Sequence, residues 1–293
     1  MALPAILVPP PRPPGAADLL ASPVAAGVDM LKIVAAVKAV AAAEIVPRFR
    51  SVRIERKADG SILTEADTAA QAALEISLQR IFDCAVLGEE MLEGEQKRIW
   101  EENAWCWCVD PLDGTGNFAN GKPYFGVSVA LVLNKVSQIG VVFDPNRDEV
   151  YYALRGAGAW MNGAPLRAPD KGIRLADALV EVGQYRRLGV LKAALFGRPP
   201  FRKLTMSGAS VLQWCDLAMG RVDLFVHPGE NPWDYAAGAL ILEEAGGRLA
   251  TYTHDQYWFD AEWQRSAIAT SQPQLFDEWV AWVRGELEAA PLR

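Results

Sequence analysis

The apolar positions of the chain change period along its length, and the changes divide it into parts. Over residues 24–49 alanines, valines, Leu31 and Ile33 recur so densely that one long helix is expected. Ser22 serves as its N-cap and Pro23 as its first residue, where a fixed φ and a missing N–H cost nothing. Thr64 followed three residues later by Asp67 is a variant capping box, and Ala66, Ala69, Ala70, Ala73, Leu74 and Ser77 continue at helical spacing. The period then shortens. Residues 85–87, 105–109, 125–133, 138–143 and 149–154 read as strands, with Asn134-Lys135 and Asp144-Pro145-Asn146 as turns, so an antiparallel sheet should follow the helix pair. Beyond it the signals alternate. Strands over 178–182, 201–205, 222–226, 247–251 and 266–270 and helices over 188–196, 207–219, 232–245 and the C-terminus predict a mixed α/β half. The expected fold class is therefore α+β.

Three segments follow from this pattern. Residues 1–21 carry Pro4, Pro9, Pro10, Pro11, Pro13 and Pro14 and read as an extended, mobile leader, since successive prolines fix φ and remove donors. Residues 22–170 form the first half and 171–293 the second. Composition agrees with a folded chain: 51% of the 293 residues are hydrophobic and 22% charged. The formal net charge of −7 gives a phosphate backbone no bulk attraction, so nucleic acid is not expected as the main partner. Cys84, Cys106, Cys108 and Cys215 match neither paired zinc spacing nor a secreted disulfide framework. The start lacks a basic n-region and no segment reaches the ~18 apolar residues of a bilayer crossing, so a cytoplasmic location without membrane partners is expected.

The chemistry concentrates in carboxylates. In Val109-Asp110-Pro111-Leu112-Asp113-Gly114-Thr115 a hydrophobic strand delivers two acids, with Pro111 expected to end the ladder and Gly114 to open a turn. Asp110, the Leu112 carbonyl and Asp113 can converge there, and an oxygen-only set suits Mg²⁺ or Mn²⁺ better than zinc. An ordinary Asp-Pro turn with an Asx cap explains the same fragment. Gly88-Glu89-Glu90 follows another short strand, and Asn231-Pro232-Trp233-Asp234 sets an acid at a helix start, where amides favour anions.

Taken in order, Lys57 to Asp67, Gly88-Glu89-Glu90, Asp110 to Phe118, Trp233 to Gly238 and Glu244-Ala245-Gly246-Gly247 resemble the inositol monophosphatase family. The resemblance spans residue 24 to the C-terminus. It implies a layered αβαβα sandwich and a magnesium-dependent, lithium-sensitive phosphomonoesterase acting on a small phosphate ester. Carried over, it makes Glu89, Asp110, the Leu112 carbonyl, Asp113 and Asp234 ligands of two or three Mg²⁺ ions, with Mn²⁺ a substitute. Thr115, aided by Asp67, would position the attacking water, and Lys57 would lie near metal and phosphate. Gly114 and Thr115 amides would hold the phosphate, and Ser207 and Gly208 would line the alcohol side. A homodimer is expected as well.

One position departs from that pattern. Counting back from Trp233 to the family's usual hydroxyl-binding acid reaches His227, which reads equally as a substrate contact and as a strand-end histidine; Glu230 is the nearest acid that could substitute. Other chemistries find less support. There is no Gly-x-Ser-x-Gly elbow, two histidines leave little for a triad, and Gly156-Ala157-Gly158 lacks the third glycine of a dinucleotide fingerprint. Cys106 with Cys108, and Trp105 with Trp107, share strand faces and read as packing. Trp279 and Trp282, one helical turn apart, suit core or subunit contact. The expected substrate is a polyol phosphate such as inositol 1-phosphate, with histidinol phosphate, fructose 1,6-bisphosphate and 3′-phosphoadenosine 5′-phosphate as sibling choices. A phosphatase fold retained only as a binding module is the reading from another class.

Overall fold

Asp29 caps the helix that begins at Met30 by accepting the N–H groups of Leu31 and Lys32 at 3.0 and 3.4 Å. The computed structural model describes residues 27–51, 54–56, 62–259 and 262–289. The leader, Ser22 and Pro23 lie outside them, and so does Lys57. Helix α1 (Met30–Val40) gives way to a π turn over Ala41–Ile45 and a 3₁₀ turn over Val46–Arg48. The single helix expected to reach Phe49 is thus corrected at its end. Pro47 has no N–H to donate to the preceding turn, and the chain leaves helical geometry at Phe49, whose ψ is 130°.

Strands β1 (Ile54–Arg56) and β2 (Ile62–Thr64) form a short antiparallel pair that leads into α2 (Glu65–Gln79). There follow β3 (Ala85–Gly88), α3 (Glu93–Glu102), β4 (Trp105–Asp113), α4 (Thr115–Ala119), β5 (Gly126–Leu133), β6 (Val136–Asp144), β7 (Glu149–Leu154), β8 (Gly158–Met161) and β9 (Ala164–Leu166). The seven strands β3 to β9 make one sheet in sequence order. Its neighbours are antiparallel except β3 and β4, which run parallel because α3 crosses over between them. The remaining chain supplies β10 (Leu179–Val182), α5 (Leu191–Gly197), β11 (Lys203–Thr205), α6 (Ser210–Ala218), β12 (Leu224–Glu230), α7 (Pro232–Glu244), β13 (Arg248–Ala250), β14 (Arg265–Thr270) and α8 (Phe276–Glu288). Their strands form a mixed sheet ordered β11-β10-β12-β14-β13. Helix α6 starts at Ser210, not at Ser207 as expected, because Gly208 has φ +84°, outside helical geometry.

Three apolar cores alternate with the two sheets. Ile33, Val37, Leu74 and Leu78 pack on one face of the first sheet against Trp107, Val129 and Val141. On its opposite face Cys106, Cys108 and Tyr151 meet Leu212, Trp214, Leu240 and Ile241, which in turn pack on Phe225 and Ala269 of the second sheet. Val226, Ile268, Leu191, Leu195, Trp279 and Val283 fill the outer side. The order α-β-α-β-α is the layered sandwich expected. Helix α7 is buried almost all round, as a helix between two sheets must be. It lies so close on β6 that a Cβ on Gly140 would stand 2.8 Å from the Ala237 carbonyl oxygen. Trp279 is fully buried, donates to the Phe225 carbonyl at 3.1 Å and stacks on Trp282, so this pair is core. Among the described residues no helix is long and apolar enough to cross a membrane.

Candidate metal centre

Residues three apart on a regular strand point to opposite faces. Asp110 pairs with Ser128 and Asp113 with Gly126, so β4 carries one residue more than β5 between these pairs. That bulge, at Pro111 with its missing N–H, turns both acids toward one side. The strand does not end at Pro111, as expected from its sequence; it bulges there and continues to Asp113. Asp234 arrives from the other half, in the first turn of α7, with one oxygen accepting the Asn231 N–H at 3.1 Å. One carboxylate oxygen from each of Asp110, Asp113 and Asp234 lies within 4.8 Å of the other two.

Glu89 lies in the turn after β3 and hydrogen-bonds through its carboxyl group to Asp110, outside that group of three. Its backbone is fixed by its own N–H to the Val109 carbonyl (3.1 Å) and by Gln96 Nε2, which donates to its carbonyl at 2.9 Å. Burial pushes the Asp110 carboxyl well above the usual carboxylate range, and the charges of Glu89, Asp113 and Asp234 add to this. Asp113 is pushed up to about 7, by burial first, with Glu89 adding and the Val211 and Gly114 N–H groups opposing. Like charges held together this closely fit a hard divalent cation, and an all-oxygen donor set suits Mg²⁺ or Mn²⁺.

Beside the acids, Asp67 has two duties. One oxygen accepts the Thr64 N–H and O–H at 2.8 and 2.5 Å, closing the capping box of α2, and the other lies 3.1 Å from Thr115 Oγ1. The Thr115 hydroxyl also lies 2.9 Å from the Leu112 carbonyl. With its single proton committed to one of these acceptors, its lone pairs remain to accept a hydrogen bond from a water. Gly114 has φ +83°, and a Cβ there would stand 2.9 Å from Ala209 Cβ and 3.1 Å from the Tyr124 carbonyl oxygen.

The substrate-side residues are tied into the scaffold. Ser207 donates to Glu181 from both its N–H (2.6 Å) and its hydroxyl (3.0 Å), while its carbonyl accepts from Asn117 and Lys122. Asn117 Nδ2 also reaches the Gly208 and Tyr124 carbonyls, so one amide joins the turn after β4 to the loop before α6. His227 is buried on β12, its Nδ1 accepting the Gly229 N–H at 3.2 Å. Burial, with the Arg187 charge, holds it down to about 3, so the ring is neutral. Glu230 turns toward α6, where one oxygen accepts from Ser210 Oγ and from Trp214 Nε1.

Sequence reasoning missed Glu181, Asn117 as a clamp, and Gln96. Glu181 carried no local signal, because its side-chain partners Thr205, Ser207 and Gln213 come 24 to 32 residues later. Asn117 stood inside the Asp110 to Phe118 motif.

The model of the inositol monophosphatase family matches residues 28–287. Inositol monophosphatase 2 of Solanum lycopersicum is 38% identical over 240 residues, covering 79% of this chain and 89% of that protein. Nus factor SuhB of Escherichia coli strain K12 is 31% identical over 250 residues, covering 82% and 89%. The solved structure of an IMPase from Thermotoga maritima superposes with a TM-score of 0.75 at 29% identity, covering 88% of this chain and 97% of that one.

Proposed function

The chain belongs to the inositol monophosphatase family and is a phosphatase of phosphate monoesters, and from that premise we propose that it cleaves a small polyol phosphate at the Asp110, Asp113 and Asp234 cluster. The observation that carries this reading is the meeting of those three carboxylates, two from the bulged strand and one from α7. Together with Glu89 and the Leu112 carbonyl they are the residues to hold two or three Mg²⁺ ions, with Mn²⁺ a substitute. When bound, such ions neutralise phosphate charge and lower the pKa of a water.

The chain's own groups do the positioning. Thr115, oriented by Asp67, accepts a hydrogen bond from the attacking water and so positions it, and the Gly114 and Thr115 amides hold phosphate oxygens. Lys57 belongs to the same assignment through family resemblance, as do a homodimer and a cytoplasmic location. The four cysteines are free thiols, which fits a reducing compartment. Inositol 1-phosphate is the reference substrate.

Phosphate release from inositol 1-phosphate, histidinol phosphate, fructose 1,6-bisphosphate and 3′-phosphoadenosine 5′-phosphate, with Mg²⁺ or with EDTA, tests the reading. Turnover should require Mg²⁺ and fall by about 10³ or more in Asp110→Asn. Turnover indifferent to both EDTA and the substitution would overturn it.

A further inference from the structure

At the position where the family resemblance leads one to expect a hydroxyl-binding acid, this chain has none. His227 takes the place of an acid, and it is neutral, buried and closed over by Gly183, where a Cβ would stand 1.9 Å from the imidazole Cδ2. A cation lies close enough to act on it. Arg187, on the 3₁₀ turn Tyr185–Arg187, is exposed, and its Nη2 lies 3.8 Å from where a Cβ on Gly229 would sit. The same nitrogen donates to Gln264 Oε1 at 3.2 Å, and Gln264 Nε2 donates to Asn231 Oδ1 at 3.2 Å. Asn231 is the residue whose N–H holds Asp234. The guanidinium is thereby linked to Asp234 by a relay of three hydrogen bonds, through the neutral residues Gln264 and Asn231. Its neighbour Arg186 turns away to Tyr185. Among the described residues Arg187 has no ion pair, and its side-chain partner is an uncharged amide. A planar fork of donors with its charge unspent, next to a site that takes a phosphate ester, matches a carboxylate or phosphate group.

We infer that Arg187 forms a second anion subsite, so that the preferred substrate is a phosphate monoester carrying one further anionic group, a second phosphate or a carboxylate. This rests on the phosphatase reading above and adds the substrate class.

Two matched pairs of esters test it, each measured on one preparation with saturating Mg²⁺: fructose 1-phosphate against fructose 1,6-bisphosphate, and glycerol 2-phosphate against 2-phosphoglycerate. The wild-type protein should favour the more anionic member of at least one pair by about tenfold or more in kcat/KM, the order of one charge-assisted contact. Arg187→Gln should bring that ratio to about one, and Arg187→Lys should retain part of it. A preference confined to the bisphosphate assigns a second phosphate; one confined to 2-phosphoglycerate assigns a carboxylate. A wild-type ratio near one in both pairs, or a ratio unchanged in Arg187→Gln, would overturn the subsite while leaving the phosphatase intact. Release from none of the four esters would instead remove the phosphatase reading itself.

Discussion

Asp234 accepts the backbone N–H of Asn231 at 3.1 Å, and an oxygen of the same carboxylate lies within 4.8 Å of oxygens of Asp110 and Asp113. One side chain therefore starts a helix and completes a cation site. Replacing it by asparagine keeps an acceptor for the N–H but removes the charge. Asp234→Asn should lose about 10³ or more in Mg²⁺-dependent turnover. Its metal-free thermal midpoint should stay level or rise, since a repulsion is gone. Asp234→Ala forfeits the cap as well and should be less stable than the asparagine variant by about 1 kcal/mol. Near-normal turnover in Asp234→Asn would take this residue out of the site.

Gly114 is held at φ +83° with no room for a methyl group. Gly114→Ala should cost about 1–2 kcal/mol from the left-handed backbone alone, more where the Cβ meets Ala209, and should depress kcat by displacing Asp113 and Thr115. Gly116 has nothing within 4 Å of its would-be Cβ, so Gly116→Ala should stay within about 0.5 kcal/mol of the parent. Urea unfolding of the two variants decides the matter; equal stabilities would contradict the described turn.

His227 is held down to about 3, chiefly by burial, from an ordinary value of 6.5. The unfolded chain takes up this proton as pH drops below about 6.5, while the folded chain refuses it. The stability involved is complete above that pH and is lost toward pH 3, at about 1.4 kcal/mol per unit. His227→Asn keeps an acceptor for the Gly229 N–H and has nothing to titrate. The stability advantage of wild type over this variant should therefore be about 2 kcal/mol smaller at pH 5 than at pH 7.5. Denaturant titrations at the two pH values measure it, and a constant difference would mean that the folded protein accepts the proton.

Features written in neighbouring residues were legible in the sequence. The Thr64 and Asp67 capping box formed, and Asn134 and Lys135, with φ 47° and 66°, make the tight turn that their position between two strands suggested. Glu89, Asp113 and Asp234 were legible because each stands at an element end with turn chemistry beside it, and Asp110 because a proline follows it inside an apolar strand. Helix α3 was not, since Glu93–Glu102 is largely charged and buries only Gln96 and Trp100, too few for a periodic stripe. The bulge at Pro111 escaped because register is settled by the partner strand. Arg187 escaped for a related reason: its neighbours Gln264 and Gly229 are brought to it by other strands and loops.

The three converging acids are divided between the two sheets' territories, two on β4 and one on a helix that follows β12. A chain severed between Leu166 and Leu179 would leave neither fragment with all three acids, so hydrolysis would return only where the two reassociate. Released phosphate is then a gauge of assembly, reporting on the whole interior from a single point.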